Sequence, residues 1–437
     1  MPPARLAGKE KIIAVLGAGF GGLRAATLID RGLRRKRIPG YRVALIDRNE
    51  YHTYTPLLYE TATISKETAN ICEIREIVAY RFARLLLGTK IKFIQAEVKN
   101  IDPLAGSVSF TDGPPEEIKK LEVEYLVIAL GAEPNYFDIP GLKNHALPFK
   151  SMLDAVRIRD AITILAMEKP GVLRVAVGGG GSTGIELAGE LKVWAGELDK
   201  SHHSRLEVDL VQAAPTILPG FSPKVIRLAK LRLRRLGVRL MENERITSVG
   251  ERDLQTASGR TIPFDIFIWT GGIKPSAIIK NLPLKTDPRG WLEVGGDMAC
   301  LPKSPDVKFG TRIYGIGDNI SAYYPGTKQP VPGVARAALS QAEIAAKNIV
   351  SEIEAEEGYL PAPRRQIYRP MNYPYVTPIG GKYAIAKIGP FVFSGLFGWL
   401  MKGLVELNYL FSIMSFDKAV RAWLRGLMIF IKNDRLG

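Results

Sequence analysis

The stretch KIIAVLGAGFGGL at residues 11–23 returns in altered form as VAVGGGGSTGIELAGEL at residues 175–191. Each is an apolar run of the kind that forms a buried parallel strand, followed by glycines spaced Gly-x-Gly-x-x-Gly and then a helical pattern. That order constrains a chain more than composition does, because only a strand–loop–helix unit uses three glycines in this way. Gly17 permits the tight turn, Gly19 lets backbone amides approach a pyrophosphate, and Gly22 brings helix against strand. Phe20 and Gly21 complete the first loop. The strand YRVALID then ends in Asp47, an acid placed to accept hydrogen bonds from both hydroxyls of an adenosine ribose.

The second unit follows the same plan with Gly179, Gly181 and Gly184, and with Ser182 and Thr183 at the helix start. Its second strand, LEVDLVQ, ends in Gln212 instead of an acid. A further echo supports duplication: EYLVIALGAEP and FDIFIWTGGIKP are both apolar strands running into Gly-x-x-Pro at similar intervals after their loops. Two bound dinucleotides are therefore expected, a resident flavin and a visiting nicotinamide, since hydride chemistry needs the two rings stacked. Late in the chain TRIYGIGDNI adds a strand ending in Gly317 and Asp318, an acid suited to the ribityl chain of a flavin. This makes the nicotinamide domain an insertion in the flavin domain.

The 437 residues suffice for two or three domains, and no apolar signal region precedes the first strand. The two cysteines, Cys72 and Cys300, lie far apart and form no CxxC pair, and the four histidines show no metal-ligand spacing, so no metal site is expected. The net charge of +16 calls for anionic cofactors, an anionic membrane or nucleic acid. No nucleic-acid motif accompanies the basic runs RGLRRKR and RLAKLRLRRLGVRL, which read as solvated helix faces.

Taken together, GAGFGGL, LIDRNEYHTYTPLLYETAT, GGGSTGIELAGEL, ILPGFSP, YGIGDN, PVPGVARAALSQAEIAAKNI and IGPFVFSGLFGWL resemble the type II NADH:quinone oxidoreductases across nearly the whole chain. The resemblance implies FAD and NADH as cofactors and a quinone as acceptor. It implies that Asp47 holds the adenosine ribose and that Arg48, Pro56 and Leu57 line the flavin, with Val98, Ala129, Leu130, Gly131, Gly317 and Asp318 as further contacts. Thr270, Gly271 and Gly272 would approach the nicotinamide, and Glu186 would serve proton or substrate positioning. Glu186 also stands just inside a helix N-terminus, where an anion is favoured in any case. Disulfide reductases of similar architecture carry a redox cysteine pair beside the flavin, which this chain lacks.

Two departures stand out. Gln212 brings no charge to repel a 2′-phosphate, so NADH is expected to be used and NADPH tolerated, unless the exchange is neutral. The quinone-site helix of the family carries Ala-Gln-x-x-x-Gln, whereas here the positions are Arg336 and Ser340, with Gln341 one step on and Lys382 nearby in MNYPYVTPIGGKYA.

At the C-terminus, IGPFVFSGLFGWLM ends at Lys402, short of the roughly 20 apolar residues a spanning helix needs. Phe416, Ala419, Val420, Trp423, Leu424, Leu427, Met428 and Ile431 recur at helical spacing, with Lys418, Arg421, Arg425 and Lys432 off that face. Such a helix suits an anionic membrane interface, or packing against the protein or a second copy in a homodimer. The expected organisation is an α/β chain: a flavin domain in two parts (1–150 and 287–350), a Rossmann-like NAD(P)H domain (151–286) inserted in it, and a membrane-docking region (351–437). The whole would sit peripherally on the cytoplasmic face of the cell membrane. A soluble NAD(P)H-dependent flavin reductase with another acceptor, and a nicotinamide-sensing flavoprotein, are the alternatives.

Overall fold

The computed structural model describes residues 10–64, 75, 77–113, 117–327 and 329–433, without the side chains of 430, 432 and 433. Cys72 and the Lys432 side chain therefore lie outside the described residues. The chain divides into two units, one of Met1–His52, Arg81–Glu133 and Lys274–Asn372, the other of Thr53–Tyr80, Pro134–Ile273 and Tyr373–Gly437. Pro134–Ile273 interrupts the first unit in sequence, which is the insertion that the late Gly-Asp motif implied.

The first unit is built on a five-stranded sheet in the order Arg312–Gly315, Tyr125–Ile128, Lys11–Leu16, Tyr41–Asp47, Lys92–Gln95. All four pairings are parallel. Ile13, Leu16, Leu45, Ile46, Val127 and Ile128 are fully buried, as the unbroken apolar runs of a sheet covered on both faces require. Helix Phe20–Lys36 packs on helix Ala335–Glu356, where a Cβ on Gly32 would come within 2.8 Å of Val350. The same pair is tied by Arg24–Glu343 at 2.7 Å and Lys36–Glu354 at 2.8 Å. The basic run RGLRRKR closes helix Phe20–Lys36, with Arg34, Arg35 and Lys36 in its last turn, where cations meet the negative end of the helix dipole.

The second unit repeats the design: Leu147–Pro148, Ile266–Trp269, Gly171–Gly178, Ser204–Gln212, Val238–Glu242, again all parallel. The strand ending each echo motif, Tyr125–Ile128 or Ile266–Trp269, occupies the same place beside the first strand of its sheet. Helix Met152–Glu168 starts in a capping box, with Ser151 Oγ accepting from Asp154 N at 3.1 Å and Asp154 Oδ2 from Ser151 N at 2.8 Å.

The C-terminal part of this unit is an antiparallel meander, Tyr375–Pro378, Ala384–Ile388 and Phe391–Gly395, followed by helices Leu396–Ile413 and Phe416–Asn433. The apolar run IGPFVFSGLFGWLM is thus split between a strand and a helix. The break falls at Gly395, whose φ of +80° a side chain would resist. The meander is clasped to the second sheet's helices by Arg232, 8% exposed, which donates to Ile379 O at 3.0 Å and Gly380 O at 2.7 Å. The second basic run therefore holds a structural cation as well as a basic helix end at Arg234 and Arg235.

Candidate functional site

Each sheet presents a glycine cradle at the carboxyl end of its first strand. In the first unit Gly17 has φ +90°, and a Cβ there would lie 2.4 Å from Ala129 O. One on Gly22 would lie 1.8 Å from Gly17 O, so the third glycine is what lets the helix close on the turn. Gly19 meets nothing within 4 Å and caps helix Phe20–Lys36 with no side-chain hydrogen bond. The first-turn amides thus face open space at the positive end of the dipole, the arrangement that takes a phosphate.

Two side chains fix this loop. Asp47 Oδ2 accepts from Ala18 N at 2.7 Å, and its Oδ1 accepts from Asn49 N at 2.8 Å. Asn49 Nδ2 also donates to Oδ1 at 3.1 Å, and a carboxylate has about four acceptor sites, so Oδ2 keeps capacity for a ribose hydroxyl. On the other side, His52 Nδ1 lies 3.0 Å from Ala18 O, and Phe20 meets the imidazole edge-on at 5.2 Å. Complete burial lowers the His52 pKa to about 4, so it is neutral and donates to Ala18 O.

The Gly-Asp loop belongs to the same unit. Gly317 has φ +78°, and its N–H donates to the buried Gln341 Oε1 at 2.8 Å. Asn319, fully buried, donates to Ile128 O at 3.1 Å and accepts from Gly131 N at 3.3 Å, joining the Ala129–Gly131 turn to Gly317 and Asp318. Gln341 is thereby engaged with the Gly317 turn. Ser340 Oγ donates to Arg336 O at 3.1 Å, and the Arg336 side chain is exposed. Arg48 is exposed and Val98 buried; in the other unit Pro56 is exposed and Leu57 is fully buried. Cys300 is buried, and burial pushes its thiol far above the ordinary range, so it is no redox nucleophile.

The second cradle repeats the plan of the first. Gly179 has φ +106°; a Cβ on Gly184 would lie 1.9 Å from Gly179 O and 2.8 Å from Thr270 Oγ1; Gly181 meets nothing within 4 Å. Gln212 Oε1 accepts from Gly180 N at 2.9 Å, the bond that Asp47 makes to Ala18. The amide thus keeps the loop-fixing role of an acid while giving up its charge. Its other end donates to Thr216 O at 3.4 Å. An acid stands one strand over: Glu242, paired in register with Gln212, accepts from Ile217 N and binds Lys230, both at 2.8 Å. Thr270 Oγ1 donates to Gly178 O and Gly179 O, fixing the late strand beside Gly271 and Gly272. Ser182 and Thr183 open the helix, and Lys382 is half-buried on the meander.

The second unit also holds a charged cluster. Glu186 lies one turn into helix Ser182–His202; burial raises its pKa to about 8, with Lys402 opposing. Lys402, on helix Leu396–Ile413, is ion-paired with the buried Glu60, which also accepts from Tyr59 OH at 2.8 Å. Glu406, one turn beyond Lys402, is 4% exposed, and burial raises its pKa to about 7. His52, Asn319, Glu60, Lys402 and Glu406 carry no motif that would mark them in the sequence.

A model of the pyridine nucleotide-disulphide oxidoreductase family matches residues 11–342. The chain belongs to this family. It is 27% identical to the type II NADH:quinone oxidoreductase NdhA of Mycobacterium tuberculosis, over 96% of the chain and 88% of that relative. It is 27% identical to the type II NADH:quinone oxidoreductase of Staphylococcus aureus, over 80% of the chain and 85% of that relative. Among solved structures, NDH2 from Plasmodium falciparum in complex with NADH has the same fold, with a TM-score of 0.78, 19% identity, and coverage of 97% of this chain and 98% of that one.

Proposed function

We propose that this chain oxidises NADH and passes two electrons through FAD to a membrane quinone, without pumping protons. The observation that carries the reading is the repeated cradle: two glycine loops of one geometry, each with an uncapped helix start and a side chain fixing its second residue. Such a pair suits two dinucleotides, and the M. tuberculosis and S. aureus relatives carry the NADH:quinone name. When bound, FAD supplies a ring that accepts a hydride and gives up its electrons in turn.

The chain's own residues bind and orient. Ala18, Gly19 and the first turn of Phe20–Lys36 hold the FAD pyrophosphate, Asp47 the adenosine ribose, and the Gly317–Asn319 turn the ribityl side, with Asp318 as acceptor. Gly180 to Gly184 hold the NADH pyrophosphate, Gln212 the adenosine ribose, and Thr270 to Gly272 the nicotinamide side. Glu186 holds a proton at neutral pH and can release it to an acceptor oxygen. Arg336 and Lys382 are donor candidates for that acceptor. With Gln212 uncharged, NADPH is tolerated alongside NADH.

No helix among the described residues is long and apolar enough to cross a membrane. Leu396, Phe397, Leu400, Leu404, Phe416, Leu424, Met428 and Ile431 are instead exposed on the last two helices. The apolar spacing of the last helix is shared between two surroundings: Ala419 is buried and Trp423 Nε1 donates to Gly403 O at 2.8 Å, while the four residues of that helix just named face outward. An outward apolar face with exposed Lys418, Arg421 and Arg425 fits an anionic leaflet, as on the cytoplasmic side. A second copy of the chain is the competing occupant.

Purified protein with quinone-loaded anionic vesicles tests this reading. Truncation before Phe416 is expected to abolish vesicle binding and turnover of a long-tailed quinone, while a water-soluble quinone is still reduced. Equal vesicle binding by full-length and truncated protein contradicts the docking claim, and failure to reduce any quinone contradicts the acceptor. A dimer that dissociates on truncation, with vesicle binding retained, favours the second copy.

A further inference from the structure

We infer that Phe137 is the ring against which the nicotinamide packs, an inference that rests on the two-dinucleotide reading above. The argument starts from strain. Phe137 has φ +49° and Asp138 φ +53°, and among the described residues they are the one consecutive pair of non-glycine residues at positive φ. Arg37 and His203 take that conformation singly, each closing a helix. A bulky side chain is disfavoured in the left-handed region, so a loop that keeps one there is held by its surroundings.

The surroundings are the Thr270–Gly272 turn. Asn135 N donates to Gly272 O at 3.0 Å, Trp269 Nε1 donates to Asn135 O at 2.8 Å, and Phe137 N donates to Asn135 Oδ1 at 3.0 Å. These bonds lay the Phe137 ring on Gly272, where a Cβ would come within 2.7 Å of the ring's Cζ. A Cβ on Gly271 would meet the indole of Trp269 instead. The two rings, edge to face at 6.4 Å, thus brace the two glycines. Their exposure differs sharply: Trp269 is 7% exposed and Phe137 is 56% exposed. Trp269 is the floor of the turn, and Phe137 is the part of the brace that faces solvent.

Burial does not account for the position of Phe137, because a ring with more than half its surface in water gains little from it. A planar ligand arriving at the turn does account for it. A nicotinamide reaching Thr270–Gly272 meets the peptide groups of two glycines and the Phe137 ring. Aromatic rings attract one another in offset or edge-on arrangements. The oxidised nicotinamide, which bears a positive charge, is drawn to an aromatic face as well. Phe137 therefore holds the nicotinamide half of the dinucleotide and contributes nothing to the ADP-ribose half, which belongs to Gly180–Gly184 and Gln212.

Titration calorimetry on the oxidised holoenzyme, with NAD⁺ and ADP-ribose as separate probes, tests this. Phe137→Asn removes the ring and puts in its place a residue that adopts positive φ readily, so the loop is expected to keep its shape and the protein its thermal stability. NAD⁺ should bind about threefold to tenfold more weakly, and ADP-ribose as tightly as to wild type. In stopped flow, the NADH concentration that gives half the maximal bleaching rate should rise. Phe137→Tyr should restore wild-type NAD⁺ binding. Unchanged NAD⁺ affinity in Phe137→Asn overturns the inference. Equal weakening of NAD⁺ and ADP-ribose also overturns it, making the ring a wedge for the turn. If Phe137→Asn fails to fold, Phe137→Leu decides, wild-type NAD⁺ binding counting against the inference. A wild-type protein that binds neither NAD⁺ nor ADP-ribose overturns the two-dinucleotide reading itself, and this inference with it.

Discussion

Replacing Lys402 by methionine keeps the length of the side chain and removes the one cation that Glu60, Glu186 and Glu406 share. Glu60 is 2% exposed and Lys402 is 13% exposed, so their ion pair is buried on both sides. Removing one partner of such a pair typically costs 3–5 kcal/mol, because the other charge is left uncompensated. Tyr59 still donates to Glu60, which offsets part of this, and a loss of about 3 kcal/mol is expected at pH 8. The sign of the pH dependence follows from the raised carboxyls. Glu186 and Glu406 have folded pKa values of about 8 and 7, above the ordinary carboxyl value of 4.5, so the stability they confer is full below that value and falls as pH rises through 7 and 8. Lys402 softens that fall by favouring both anions, so the cost of removing it grows from pH 5 to pH 8. Thermal unfolding of the holoprotein at the two pH values, with hydrogen exchange on helix Leu396–Ile413, reads the effect. The double variant Glu60→Gln/Lys402→Met should recover most of the loss. A single variant as stable as wild type at pH 8, or a double variant no better than the single, refutes the reasoning.

Gly184→Ala places a Cβ 1.9 Å from Gly179 O, and is expected to weaken NADH binding by more than tenfold while flavin content stays normal; Gly22→Ala, at 1.8 Å from Gly17 O, should do the reverse. Both are read by flavin absorbance and by equilibrium titration with NADH. Gln212→Glu keeps the acceptor for Gly180 N and adds a charge, so the NADPH rate should fall relative to NADH on the order of tenfold, equivalent to about 1.4 kcal/mol; an unchanged ratio would show that residue 212 does not sense the 2′-phosphate. His52→Leu removes the donor to Ala18 O and is expected to weaken flavin retention equally at pH 6 and pH 8, because His52 is already neutral at both; a loss confined to one pH would contradict this.

The two strand–loop–helix units were legible in the sequence because their geometry is local. A turn with φ +90° or +106°, a helix start and a strand end fall within a few tens of residues, and each demands a particular residue type. The parallel sheets followed from the same pattern, since buried strands between helices read as unbroken apolar runs. What stayed hidden depends on distance along the chain. Lys402 meets Glu60 at a separation of 342 residues, and neither stands out within its own segment. Asn319 reaches back 191 residues to Ile128 O. The bond from Gly317 N to Gln341 Oε1, across 24 residues, was likewise invisible in the local pattern. The apolar C-terminal run concealed a strand-to-helix switch because one glycine at positive φ marks it.

The most direct test of the central claim is anaerobic sequential mixing of purified, flavin-loaded protein with NADH and then with a short-chain quinone, followed by absorbance. The two-cradle account predicts rapid bleaching by NADH and full recovery on adding quinone, with no lag and no thiol consumed. Protein that carries no flavin, or carries flavin that NADH does not bleach, contradicts it.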